Sequence, residues 1–297
     1  MEWFNMITPD AKEDFADFRL QNRFGDTAFS LIYAWVERFN YCYQVFDGAI
    51  AVCGRGIQSE YDFFILRKPG VPIDQPADYI LQFCKSRSIE PVFDFIMEEE
   101  IGEYRKFAEQ NGLMPVFSYD EAMSDYVYRM PEYLSVSGNI NKTKRGSMNH
   151  FLREYPDVCY LAPDSTEIRR MHGCFQEWCN EHCCADCFYG CEYRAFCRFM
   201  DLYDPSAHFI RYAVADGALL SFIVGEITSP DTICCYFQKN ARRIRGLTYW
   251  LSHRLMEEFS DIRYLNLGED MGIEGIIKDK AGLHPCAKLK KYTMIVR

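Results

Sequence analysis

The sequence predicts an α/β protein made of two copies of one unit, each a mixed, mostly antiparallel sheet flanked by helices. Three observations predict it. Both halves of the chain run through the same order of elements: helix, β-meander, helix, strand, helix, strand. Each meander holds an Asp-Gly pair between alternating apolar runs, Asp47 with Gly48 and Asp216 with Gly217, a strong hairpin signal. Finally, 48% apolar and 16% aromatic residues over 297 positions supply two cores of ordinary size. The boundary is expected near Met130, giving domains 1–130 and 131–297.

In the first half, residues 26–35 have helical apolar spacing behind an Asp26/Thr27 cap. Strands are expected at 41–46, 49–54 and 61–66, then a helix at 75–86 and a strand at 92–96. A helix over 101–111 ends at Gly112, which suits the left-handed position that closes helices, and 126–130 reads as the last strand. The second half begins with a helix around 148–154 and a strand at 158–162. Asp164 and Glu167 then open another helix. Strands are expected at 209–215, 219–227 and 232–237. A basic turn at 242–246, a helix at 247–258, a strand at 263–267, a short helix and a terminal strand at 289–296 complete it.

Net charge is −10, and it is unevenly placed. Residues 1–130 carry 12 Lys/Arg against 22 Asp/Glu, whereas 131–297 carry 21 against 21. A general nucleic-acid binder would be basic overall, so that class is excluded. The acidic first half favours a cationic acceptor such as an amine or basic peptide. With no basic-then-apolar leader and no long apolar run, the chain is expected to be cytoplasmic without a transmembrane segment. Fourteen cysteines in such a chain point to reduced thiols rather than a disulfide framework.

The most specific stretch begins at the basic turn. Arg242, Arg243 and Arg245 precede Gly246, and a helix follows at once with Thr248 in its first turn. Helix starts carry N–H groups without intrahelical acceptors and the positive end of the dipole, so phosphate is a natural ligand there. An exposed basic loop capped into a helix is the bland alternative. The meander, basic turn, helix and strand in this order resemble the GNAT acyltransferase fold. In that fold the turn reads Arg/Gln-x-x-Gly-x-Gly/Ala and holds the donor's pyrophosphate. Thr248 departs from the last place of the pattern.

A closer resemblance follows from Asn266, Glu269, Asp270, Gly272 and Gly275, with Lys280, Pro285, Lys291 and Tyr292 behind them. Together with Lys142, Lys144, Arg145, Asn149 and Phe151, and with Trp178 and Glu192 to Arg194, they resemble the phosphatidylglycerol lysyltransferase C-terminal domain family. That resemblance spans the chain and implies tandem GNAT-like domains. It also implies transfer of an acyl or aminoacyl group from a phosphate-bearing donor, aminoacyl-tRNA or acyl-CoA (CoA-linked), to an amine or hydroxyl acceptor. No tightly bound cofactor is implied. Gln238 stands where family members often carry Glu, and Ile277 where they often carry Arg.

Acyl transfer needs a held donor carbonyl, N–H donors for the oxyanion and a base. Glu269 and Asp270, directly after a strand, are the base or amine-binding candidates; Asn266 could orient the acceptor. Asp270 before Gly272 could equally be a turn cap, and Asn266 could satisfy buried backbone. On the donor side stand Arg242, Arg243, Arg245, Gly246 and Thr248, joined by Lys142, Lys144, Arg145, Lys280 and Lys291. The first half lacks such a turn at Lys68 to Pro72 and is expected to be degenerate for donor binding. Glu98, Glu99 and Glu100 read as an acidic helix start.

Seven cysteines fall between Cys174 and Cys197. Cys179, Cys183, Cys187 and Cys191 recur every fourth residue, and Cys184 pairs with Cys187 as Cys-x-x-Cys. On one continuous helix those four positions span about 18 Å, too far for one ion, so no metal site is assigned. A metal- or redox-responsive role for this cluster is the third alternative, behind a non-catalytic GNAT-like ligand-binding or regulatory module.

Overall fold

A computed structural model describes residues 3–19, 24–56, 59–130, 142–181 and 190–296. The chain forms two compact units. The first comprises Met1–Asp125, Glu269–Ile277 and Lys288–Arg297; the second comprises Tyr126–Gly268 and Lys278–Ala287.

The first unit's sheet contains β1 (Asn5–Met6), β2 (Cys42–Phe46), β3 (Ala49–Gly54), β4 (Asp62–Arg67), β5 (Val92–Ile96), β6 (Pro115–Tyr119) and β14 (Tyr292–Val296), in the order β1-β2-β3-β4-β5-β14-β6. The hairpin at Asp47 and Gly48 forms as expected, closing the Phe46↔Ala49 pair with Gly48 at φ 71°. Short helices α1 (Lys12–Phe15), α2 (Phe29–Ala34) and α3 (Val36–Phe39) precede the meander. The longer α4 (Asp74–Arg87) connects β4 to its parallel neighbour β5, and α5 (Ile101–Gln110) follows. Their apolar faces bury Ile80, Phe83, Phe107 and Ala108 against Phe63 and Phe93 of the sheet. Glu100 accepts from Met97 N and pairs with Arg67, so that part of the acidic run has a structural use.

The second sheet contains β7 (Asp125–Arg129), β8 (Cys159–Leu161), β9 (His208–Ala215), β10 (Ala218–Ser229), β11 (Thr232–Asn240), β12 (Tyr264–Asn266) and β13 (Ala287–Leu289), in the order β13-β7-β12-β11-β10-β9-β8. Helices α6 (Lys142–Glu154) and α9 (Leu247–Glu258) place Phe151, Trp250, Leu251 and Leu255 in one core. Helices α7 (Ser165–Glu181) and α8 (Glu192–Asp201) bring Phe175 and Phe196 into ring contact with Phe222 and Phe237. Asp164 caps α7 as expected, accepting from Thr166 N and Glu167 N. A further helix, α10, spans Glu274–Gly282.

Both sheets have one plan: a four-stranded meander, a parallel neighbour reached through a helix, then two further strands. One expectation is corrected. The terminal strand expected to complete the second half is two strands, β13 in the second sheet and β14 in the first. There β14 pairs antiparallel with both β5 and β6 and buries Met294 and Val296 in the first core. Conversely β7, expected to close the first half, lies in the second sheet beside β12. Local alternation marks a strand, but the sheet it joins depends on pairings far away in sequence.

Among the described residues no helix is long and apolar enough to cross a membrane.

Candidate functional site

In the second unit the basic turn leads straight from β11 into α9. Gly246 is the residue before the helix and adopts φ 87°, the left-handed region that favours glycine. It is also packed: a Cβ there would lie 2.1 Å from Ser147 O of α6. Gly246 therefore serves close approach of two backbones, whatever else the turn does. Asn240, at the end of β11, donates to Thr248 Oγ1 at 3.2 Å and accepts from Ser221 Oγ at 2.7 Å, fixing the turn to the sheet. Arg242 reaches Tyr155 OH at 3.0 Å, while Arg243 and Arg245 are exposed.

The Ser147 contact packs the middle of α6, the helix that carries Lys142, Lys144 and Arg145, against this turn. Lys144 is buried, and burial pushes its ammonium down to about 8. Six of the expected donor-side cations thus belong to two neighbouring segments of one unit.

The parallel strands beside the turn diverge. β11 and β12 pair only from Thr232–Tyr264 to Cys234–Asn266, whereas β11 runs on to Asn240. Asn266 is buried at the end of the pairing and accepts from Gly268 N at 2.7 Å, shaping the loop that leaves the sheet. Lys280 donates to Leu267 O at 2.6 Å and lies 5.9 Å from the Tyr126 ring. Lys280 is carried by the helix Glu274–Gly282, and its ammonium meets the chain just past the end of β12.

Glu269 and Asp270 belong to the first unit. Asp270 is buried; it accepts from Gly272 N at 2.8 Å and faces Lys288 Nζ at 3.4 Å. Glu269 joins a cage around Lys291. The Lys291 ammonium lies 2.5 Å from Asp26, 2.6 Å from Asp125 and 3.1 Å from Glu269. Asp125 is 1% exposed and Lys291 5%, whereas Asp26 and Glu269 are 27% and 24% exposed. The cage thus has a buried floor and a wetter rim.

Its electrostatics follow from that enclosure. Burial pushes Asp125 up to about 7; Lys291 opposes this, and Asp26 and Glu269 add to it. Burial alone would lower the Lys291 ammonium, but Asp125, Asp26 and Glu269 together hold it well above its ordinary range. Lys291, expected to meet donor phosphate, instead has three carboxylates for its three N–H donors.

Sequence reasoning missed Asp26 and Asp125. Asp26 was expected as a helix cap; its carboxylate turns to Lys291, and the helix proper starts only at Phe29. Asp125 carries no motif at all. Also unanticipated is Lys239, bound by both oxygens of Glu192 and 4.1 Å from the Trp178 ring, which ties α7 and α8 to the sheet.

Cys183, Cys184 and Cys187 lie outside the described residues. Cys179 stands near the end of α7 and Cys191 just before α8; the expected cysteine face between them falls on residues outside those described. Cys197 Sγ lies 3.7 Å from His172 Nδ1, with Tyr193 OH at 3.4 Å from the same nitrogen.

No family model matches the sequence, and no curated protein matches it. Solved structures do. A conserved protein of unknown function from Bacteroides thetaiotaomicron VPI-5482 is similar over 99% of both chains, with a TM-score of 0.87 and 20% identity. The C-terminal domain of a candidate lysylphosphatidylglycerol synthetase from Agrobacterium fabrum is similar over 96% of this chain and 91% of its own, with a TM-score of 0.67 and 14% identity. L-PGS from Bacillus licheniformis matches 98% of this chain and 92% of its own, with a TM-score of 0.69 and 12% identity. At these identities the likeness is one of fold. The fold is the tandem GNAT-like α/β arrangement, and its structural neighbours include the lysylphosphatidylglycerol synthetase domain.

Proposed function

We propose that this chain is an acyl- or aminoacyltransferase. It takes its group from a phosphate-bearing donor, an aminoacyl-tRNA end or an acyl-CoA, and delivers it to an amine or hydroxyl acceptor. The carrying observation is the left-handed Gly246 turn bearing Arg242, Arg243 and Arg245 at the start of α9, packed on the helix that carries Lys142, Lys144 and Arg145, beside strands whose pairing ends at Cys234.

The first-turn N–H groups of α9 and these cations suit a pyrophosphate or terminal phosphates. The divergence after Cys234 frees backbone groups of β11 to receive the donor's extended arm. Glu269 is the proposed proton acceptor for the attacking amine or hydroxyl, having both a carboxylate and solvent exposure. Asp270 and Asn266 are proposed to shape the loop that presents it, through their bonds to Gly272 N and Gly268 N.

Thermal shift with CoA, acetyl-CoA and a short aminoacylated acceptor-stem mimic tests this. The comparison variant is R243E/R245E, because both arginines are exposed, whereas a side chain at Gly246 would strike Ser147 backbone. A donor at a hundred times its Kd stabilises by about 2.7 kcal/mol. Stabilisation of the wild type, lost in the variant, supports the proposal. No stabilisation by any of the three removes it.

A further inference from the structure

We propose that Cys42 and Cys53 are a modification site, a thiol pair that a hydroperoxide closes into a reversible disulfide across the β2–β3 hairpin. Both belong to the first unit, and both are free thiols. They are register partners on antiparallel strands, Cys42 of β2 opposite Cys53 of β3. Directly opposed residues hold their Cα atoms about 4.5–5.5 Å apart on one face of the sheet, within the span of about 4.4–6.8 Å that a disulfide needs. Cys42 Sγ lies 3.6 Å from Cys53 O, so the Cys42 side chain already leans toward its partner. Other strand cysteines lack such a partner: Cys159 faces Val214, Cys234 faces Glu226 and Cys235 faces Gly225.

The two thiols differ in a way that assigns their roles. Hydrogen bonding with Cys53 holds the Cys42 thiol below its ordinary range, against burial. At Cys53 the same contact, and then burial, raises the thiol instead. Cys42 therefore reaches the thiolate state first, and the thiolate is the form that attacks peroxide. In the first step the Cys42 sulfur attacks one peroxide oxygen, the O–O bond breaks, and a sulfenic acid and hydroxide result. In the second, Cys53 gives its proton to that hydroxide, and its sulfur displaces the sulfenic oxygen as hydroxide, which takes up the proton first shed by Cys42. Two thiols are oxidised to one disulfide, and one hydrogen peroxide is reduced to two waters.

Cys42 is 4% exposed and Cys53 1%, so the reaction waits on local opening. The cover is slight beside Cys42. The outer neighbour of β2 is β1, only Asn5–Met6, which pairs Met6 with Cys42 while Met6 itself is 77% exposed. Just before it, Phe4 packs on Phe63 and Phe83 in the core that also holds Cys42 and Cys53. Release of this short segment uncovers Cys42 while β3 and β4 stay paired. Cys84 of α4 lies in the same core, but burial pushes its thiol up to about 12, so it stays protonated where Cys42 reacts.

The test needs neither donor nor acceptor and is independent of the transferase reading. Full-length protein, reduced and then freed of reductant, is treated with hydrogen peroxide in native buffer. Remaining thiols are alkylated before unfolding, and the peptides are mapped by mass spectrometry without reduction. The expected product joins the Cys42 and Cys53 peptides, two hydrogens lighter than the separate pair, and dithiothreitol restores both thiols. The link should persist in Cys84→Ala. In Cys53→Ala it should be lost, with dimedone trapping a sulfenic acid at Cys42; Cys53→Ser serves should the alanine variant lose its amide dispersion. Recovery of both wild-type cysteines as alkylated thiols overturns the proposal. So does a link that forms only in urea, or one that joins Cys42 to Cys84 instead.

Discussion

Asp125→Asn gives the sharpest test of the buried cage, because it replaces a titrating carboxyl by an amide of the same shape. Asp125 has an ordinary value of 3.8 and stands at about 7 in the folded chain, raised first by burial and then by Asp26 and Glu269. The folded protein therefore keeps a proton that the unfolded chain has already released across this window. Stability from this group is complete below about pH 4 and is lost as pH climbs toward about 7. Roughly three units at 1.36 kcal/mol each give about 4 kcal/mol. Coulomb repulsion from one rim carboxylate, about 3 kcal/mol, is of the same size. The amide introduced by Asp125→Asn does not titrate and lacks this slope; Asp94, whose rise does not involve Asp125, keeps its own in both proteins. Urea unfolding of wild type and variant, at half-unit steps from pH 4 to 8, measures the difference. The variant's advantage should grow by about 4 kcal/mol across that range. A difference that stays flat, or a wild type that gains stability relative to the variant as pH rises, would refute the assignment of the proton to Asp125.

Two further outcomes are expected. Gly246→Ala should cost well over 2 kcal/mol, because its Cβ meets Ser147 O at 2.1 Å and its φ is 87°, while Gly217→Ala, at φ 71° with nothing within 4 Å, should cost only about 1 kcal/mol. Equal losses in Tm would contradict the packing role of Gly246. Deleting residues 292–297 removes β14 from between β5 and β6, with buried Met294 and Val296, and should leave the first unit open to limited proteolysis. A first unit as resistant as that of the full chain would contradict the strand arrangement.

Much of the fold was legible because it is written locally. The Asp47/Gly48 and Asp216/Gly217 pairs name their own turns, and Gly48 and Gly217 take the positive φ those turns demand. Leu247–Glu258 announces itself by the left-handed Gly246 before it and by apolar spacing through Trp250, Leu251 and Leu255. What was not legible is long-range. Nothing in residues 125–129 or 292–296 says that each strand enters the sheet built mainly by the other half. The same holds at the site. The basic turn was visible because its charges are consecutive. Asp26, Asp125 and Lys291 are far apart in sequence, and only folding makes them one group. Lys291 shows the cost of reading charge without burial, since a lysine in a basic run reads as a phosphate ligand until three carboxylates surround it.

The proposed donor site is tested most directly by locating a bound donor. In ¹H–¹⁵N spectra of the full chain titrated with CoA and then with the aminoacylated acceptor-stem mimic, the amides of Leu247, Thr248 and Tyr249 at the start of α9 should shift most. Those shifts should vanish in R243E/R245E. Saturable binding that leaves these three amides unmoved, or shifts that persist in the variant, would contradict a donor held at the basic turn.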